Sequence, residues 1–197
     1  TVGAGFIQKR ELSYKTNYKD SLLFYPSDSA VKAKSDFVYK SWYATAGYSI
    51  RRGLFKKHIF SVSYSYTSIA DSVIDKKYNS NYFKDSVSSK GILELSYILQ
   101  YANVNNNSYP LTGKTWFVTL QKRGLGFTGG VNMFSVEAGY NTYFNLGKNW
   151  YSSIQMNGKI KLPFDQAYIN QRGLGYGENY LRGLEYYVID GVATALA

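Results

Sequence analysis

The sequence predicts an all-β fold: long antiparallel strands joined up and down into a transmembrane β-barrel. Three observations lead there. Apolar and polar residues alternate with a period of two in segment after segment. The alternating segments run to ~10 or more residues, near what a tilted strand needs to cross a bilayer and above the ~5 to 6 usual in soluble sheets. The connections alternate between short and long, as they do in up-and-down outer-membrane barrels.

The elements follow in order. "TVGAGF" opens a strand at the start of the chain, and "SWYATAGYSI" alternates over Ser41 to Ile50. In "HIFSVSYSYTS", Phe60, Val62, Tyr64 and Tyr66 alternate with Ser61, Ser63, Ser65 and Thr67. "GILELSYILQYA" sets Leu93, Leu95, Tyr97, Leu99 and Tyr101 against Ile92, Glu94, Ser96, Ile98 and Gln100. "TWFVTLQ" sets Trp116, Val118 and Leu120 against Thr115, Phe117, Thr119 and Gln121. Two further segments follow: Phe134, Val136, Ala138, Tyr140 and Phe144 oppose Ser135, Glu137, Gly139 and Asn141. Then Trp150, Ile154, Met156, Ile160 and Leu162 oppose Tyr151, Gln155, Asn157, Lys159 and Lys161. About seven complete strands result, with "VATALA" starting another. "RRGLFKKH" and "LGKN" read as short turns, and "NVNNNSYPLTG" as a moderate one. Lys15 to Lys34, Ala70 to Lys90 and Pro163 to Gly191 are long.

A soluble sandwich also alternates, with its apolar face turned inward onto a second sheet. Strand length favours the barrel, and so do Glu94, Gln100, Glu137, Gln155, Lys159 and Lys161 on the polar faces, which suit a wet lumen. Trp42, Tyr66, Tyr101, Trp116 and Trp150 crowd the ends of the apolar faces, where an interfacial girdle belongs. Backbone groups in lipid must be satisfied internally, so such a sheet has to close.

Composition agrees. Aromatics make up 18% of the 197 residues, with 21 Tyr, and such side chains suit a pleated, half-buried surface. Cysteine is absent, which excludes disulfides, thiolate metal sites and a cysteine nucleophile. There is no run of ~18 apolar residues, hence no transmembrane helix. The sequence opens at Thr1 directly on a strand-like segment without a signal-peptide pattern, which would fit a mature or trimmed chain if the protein is exported. The net charge of +10 is spread over strand ends such as "KKH", "DKK" and "QKR". It points to an anionic partner (lipid headgroup, lipopolysaccharide or acidic protein) rather than to nucleic acid.

Motifs of catalysis are weak. Gly124, Gly126 and Gly129 satisfy G-x-G-x-x-G, yet a strand follows them where a dinucleotide fold needs a helix, so they read as a hairpin turn. His58 is the single histidine and sits at a strand start beside Lys56 and Lys57, as an interface or turn residue. Glu94 and Glu137 lie on different strands and read as lumen polarity. The chain is expected to be no enzyme and to need no cofactor or metal.

The stretch "LPFDQAYINQRGLGYGENYLRGLEYYVIDG" is too long for a simple turn and too aromatic for a solvated one. Folded back into a barrel, Arg182 would pair with a carboxylate or stack on an aromatic ring. Leu181, Arg182, Gly183 and Leu184 resemble the Val-Arg-Gly-Phe/Tyr loop motif of the BamA/TamA-type outer-membrane barrels, the bacterial surface antigen family. Arg182 and Gly183 match, Leu181 is similar, and Leu184 departs from the aromatic. Tyr109, Pro110, Thr112 and Gly113 are similar to that family's periplasmic turn, Tyr/Phe-Pro-Thr-x-Gly.

The resemblance implies that residues 1–197 are an interior part of one sixteen-stranded barrel, from its fifth strand to the start of its twelfth. The first and last strands and the periplasmic POTRA domains would lie outside this chain. Residues 163–191 would be the long extracellular loop inserted into the lumen. Arg182 would be braced by an acidic partner on later strands, with Glu137 as the candidate within this chain. The function implied is insertion or assembly of outer-membrane proteins, or translocation, in the outer membrane of a Gram-negative cell. Its partners would be outer-membrane lipid, nascent outer-membrane proteins and other assembly subunits. Two alternatives stay open: a passive pore or display barrel carrying another domain, and a complete eight-stranded barrel.

Overall fold

The structure, a computed structural model, describes residues 1–9, 14–15, 22–23, 39–70, 82–84, 87–125, 131–170, 172–174, 189–190 and 193–196. Its long strands are β1 (Val2–Lys9), β4 (Tyr39–Arg52), β5 (Lys56–Ile69), β6 (Ser89–Val104), β7 (Gly113–Arg123), β8 (Met133–Gly147) and β9 (Trp150–Leu162). Short pieces lie between and after them: β2 (Tyr14–Lys15), β3 (Leu22–Leu23), β10 (Arg172–Leu174), β11 (Ile189–Asp190) and β12 (Ala193–Leu196). One antiparallel sheet contains β1-β4-β5-β6-β7-β8-β9-β12 in that order. The long strands follow sequence order, so the sheet is the up-and-down meander the alternation predicts. Among the described residues it is open: β1 and β12 form its edges and do not pair with each other.

The short connections gather at one end of the sheet and the long ones at the other. Between β8 and β9 the turn is two residues, Lys148 and Asn149, both at positive φ (49° and 64°). That geometry follows the right-handed twist of the strands it joins. Between β6 and β7 the turn is built on two side chains. Asn105 Oδ1 accepts from the backbone N–H groups of Leu111 (2.9 Å) and Thr112 (3.1 Å), and Asn106 Oδ1 accepts from that of Ser108 (2.9 Å). Gly113 closes it at φ 109°, where an added Cβ would strike the Asn103 carbonyl oxygen. The long connections carry structure of their own. β2 pairs with β3, and the stretch after β9 holds a 3₁₀ turn, Tyr168–Asn170, and the β10–β11 pair.

Register turns the alternation into two faces. Val2, Ala46, Val62, Leu95, Lys122, Phe134 and Leu162 form one row across the sheet. The next row, one residue along, is Gly3, Thr45, Ser63, Glu94, Arg123 and Met133, and it points the other way. The apolar face stands open. Phe60 is 45% exposed, Val62 47% and Ile154 50%, so no second sheet covers them among the described residues. Aromatic rings gather at both ends of this face. Trp42 stacks on Tyr66 toward the long connections (6.1 Å between centroids), and Tyr101 stacks on Trp116 toward the short turns (5.5 Å).

The buried cluster sits on the opposite, polar side, at the long-connection end. Ile69, Ile92 and Val131 pack there with Tyr82 and Phe83, and Tyr168 and Ile169 close over them. Connections distant in sequence thus meet above the polar face.

Candidate functional site

The polar face is where ionisable and amide side chains converge. In its rows the small hydroxyls leave room for larger groups on β6 to β9. Ser41 and Thr67 bond each other at 3.0 Å, Ser135 donates to Gln121 at 3.1 Å, and Asn141 donates to Thr115 at 3.2 Å. Two ion pairs cross neighbouring strands. Arg123 holds Glu94 Oε2 through Nη2 at 2.7 Å and Nε at 2.8 Å, and Lys159 holds Glu137 Oε2 at 2.9 Å. Both pairs follow from register, because Glu94 stands directly opposite Arg123 and Glu137 opposite Lys159. Cross-strand neighbours of opposite charge stabilise a sheet, and a half-buried setting screens them less than open water would.

The segment after β9 is fastened onto this face. Lys161, almost wholly buried, donates from Nζ to the Asn170 carbonyl at 2.7 Å. Arg123 Nη1 donates to Asn170 Oδ1 at 3.2 Å, so a single guanidinium joins Glu94 on β6 to Asn170 on the segment. Asn170 Nδ2 in turn donates to Gln166 Oε1 at 3.2 Å. At the segment's near end, Lys84 pairs with Asp165. The Ile169 N–H donates to the Tyr82 carbonyl at 3.2 Å. A buried lysine is costly without partners, and the Asn170 carbonyl is one of the groups that meet this need for Lys161.

The residues singled out from sequence fall as follows. Glu137 lies on the polar face with Lys159, on the side the alternation assigned to it. Tyr109, Pro110, Thr112 and Gly113 form the β6–β7 turn, with Tyr109 projecting outward and Gly113 at the positive φ the turn requires. Leu181, Arg182, Gly183 and Leu184 lie outside the described residues, as do Gly126 and Gly129. Gly124 is buried at φ 73°, with its N–H on the Leu93 carbonyl, and a strand follows it. His58 lies on the apolar face, where Nδ1 is 2.9 Å from the Tyr97 hydroxyl. Glu94 and Glu137 do not meet; β7 separates their strands, and each carries its own cation.

Sequence reasoning missed Arg123, Gln166 and Asn170, and it placed Lys161 on the polar face without its partner. For Arg123 a signal existed: it shares parity with Phe117, Thr119 and Gln121, hence the polar face, whereas "QKR" was read as flanking charge. Asn170 gave none, because its partners lie on other elements.

No family model matches the chain, and no curated protein matches it.

Proposed function

We propose that this chain is a stretch of transmembrane β-barrel wall in a bacterial outer membrane, of the BamA/TamA type, serving insertion or assembly of outer-membrane proteins. The observation that carries the membrane reading is the open apolar face, continuous across the long strands, backed by a polar face of paired charges. A soluble protein rarely leaves so large an apolar patch in water. Aromatic clusters at both ends of that face suit interfacial girdles, and long connections at one end with short turns at the other suit outside loops and periplasmic turns.

The insertase reading rests on the loop and turn resemblances, at Leu181 to Leu184 and at Tyr109 to Gly113. In such a barrel, catalysis is strand pairing at a weak seam and involves no bond chemistry: an incoming strand adds to an exposed edge. Arg182 would brace the loop, its planar fork matched to a carboxylate.

Two measurements on the full-length protein test these layers separately. With single-cysteine fluorophores in brominated-lipid vesicles, a probe at Val62 is quenched and one at Ser63 is not; equal quenching removes the barrel. Depletion of the protein from cells lowers the levels of other barrel proteins. Normal levels leave a passive pore or display barrel as the better reading.

A further inference from the structure

We infer that the apolar face carries a seat for an anionic lipid, with the headgroup phosphate at Lys122 and an acyl chain in the groove leading away from it. This rests on the reading that the face meets a bilayer. A groove of about 610 Å³ opens on that face and crosses from β1 and β4 to β8. That size lies within the ~300 to 1,000 Å³ of small-molecule clefts. Ala46 and Gly47, whose side chains are small, line it together with Phe60, Val62, Leu95 and Tyr97. The lining is mostly apolar, bordered also by Thr1, Ser61, Ser96 and Gln121, and Lys122 is its one basic side chain.

Lys122 is out of keeping with its face. Its row runs Val2, Ala46, Val62, Leu95, Lys122, Phe134, and every other member is apolar. A lysine on a lipid-facing strand is costly at mid-bilayer and nearly neutral at the interface. Lys122 is the penultimate residue of β7, at the long-connection end, whereas Ala46 and Val62 lie midway along β4 and β5. One end of the groove is therefore charged and at the edge of the apolar band, and the other is inside it. An amphiphile has that distribution.

The charge also calls for an anion. Lys122 Nζ donates to Asn132 Oδ1, a neutral group, and no described carboxylate lies within ion-pair distance of it. Free phosphate would use the lysine and leave the apolar groove empty. Here an added polypeptide strand could join only the free edge of β1, four strands away from Lys122, since β4 to β8 are each paired on both sides. A phosphate-bearing lipid uses both features, with the lysine stem lying along apolar surface and its ammonium reaching the headgroup.

The test uses full-length protein reconstituted in nanodiscs of phosphatidylglycerol and phosphatidylcholine, then delipidated in detergent, with retained lipid counted by native mass spectrometry. Wild-type protein retains phosphatidylglycerol in preference to phosphatidylcholine. Lys122→Gln lowers that preference about fivefold, the factor expected for one cation at an anionic surface. Ala46→Trp fills the groove and lowers retention of both lipids. Lys114→Gln, at the other end of the same strand, leaves the preference unchanged. Equal retention of the two lipids by wild type, or an unaltered preference in Lys122→Gln, overturns the seat. So does a stable dimer that buries Val62 and carries no lipid. A brominated-lipid measurement at Val62 separates the two failures. Quenching without headgroup preference removes the seat alone; absence of quenching removes the bilayer reading beneath it.

Discussion

At Gly113 one backbone angle sets the course of the chain. Its φ of 109° lies in a region that L side chains rarely adopt, and an added Cβ would collide with the Asn103 carbonyl. The collision is with backbone, which has nowhere to move without opening the β6–β7 ladder. Gly113→Ala is therefore expected to destabilise the folded protein by ~1–3 kcal/mol, read as a lower urea midpoint of the full-length protein. The Glu137–Lys159 pair works differently, through mutual need. Their side chains are only 16% and 17% exposed, so each charge relies on the other to offset part of the hydration it loses. Glu137→Gln is expected to cost ~1–3 kcal/mol in wild type and much less in a Lys159→Met background. Strict additivity in that double-mutant cycle would show that the two side chains are independently solvated.

Along a strand, the unit of meaning is parity. In β5, Val62 belongs to the open apolar row and Ser63 to the row that includes Glu94 and Arg123. Arginine at these adjacent positions should behave oppositely. On the proposed membrane reading, Val62→Arg is expected to cost ~2–4 kcal/mol in folding into vesicles, as a cation near mid-bilayer does. Ser63→Arg stands opposite the Glu94 carboxylate and should fold with nearly wild-type yield. Equal loss at both positions would contradict the assignment of faces. Glycines within strands are handled by neighbouring rings: Tyr64 leans over Gly91, Tyr43 over Gly5, and Phe117 over Gly139. Each ring covers backbone that would otherwise lie bare, a known way of restoring packing at strand glycines.

For the molecule as a whole, the decisive event is the return of the chain after β9 across the polar face. Asn170 joins Arg123, Gln166 and Lys161 there, and Lys84 with Asp165 holds the neighbouring connection to it. Asn170→Ala removes the two side-chain bonds and leaves the carbonyl that Lys161 uses, so loosening should be partial. Amide exchange over residues 163–170 is expected to quicken roughly tenfold, with β5 to β8 unchanged. Adding Asp165→Asn should quicken it further. Unchanged protection in the double variant would mean that the apolar packing of Tyr168 and Ile169 alone retains the segment.

By itself, the sequence determined the long strands, their order and the two faces. Side chains alternate about any extended backbone, so the parity of Phe60 against Ser61, or of Glu137 against Val136, is a local property that neighbours suffice to reveal. It also showed that Glu137 lies on the polar side and that Gly113 closes a turn. Tertiary structure decided which polar groups meet. Arg123 reaches both Glu94 and Asn170, and Tyr82 packs against Tyr168, across separations that no periodicity encodes. Those contacts depend on the inter-strand register and on the path of long connections, both set by the balance of packing over the whole sheet. The same register aligned Lys122 with six apolar residues of other strands, so that a lysine ordinary in its own strand became the charged end of an apolar groove.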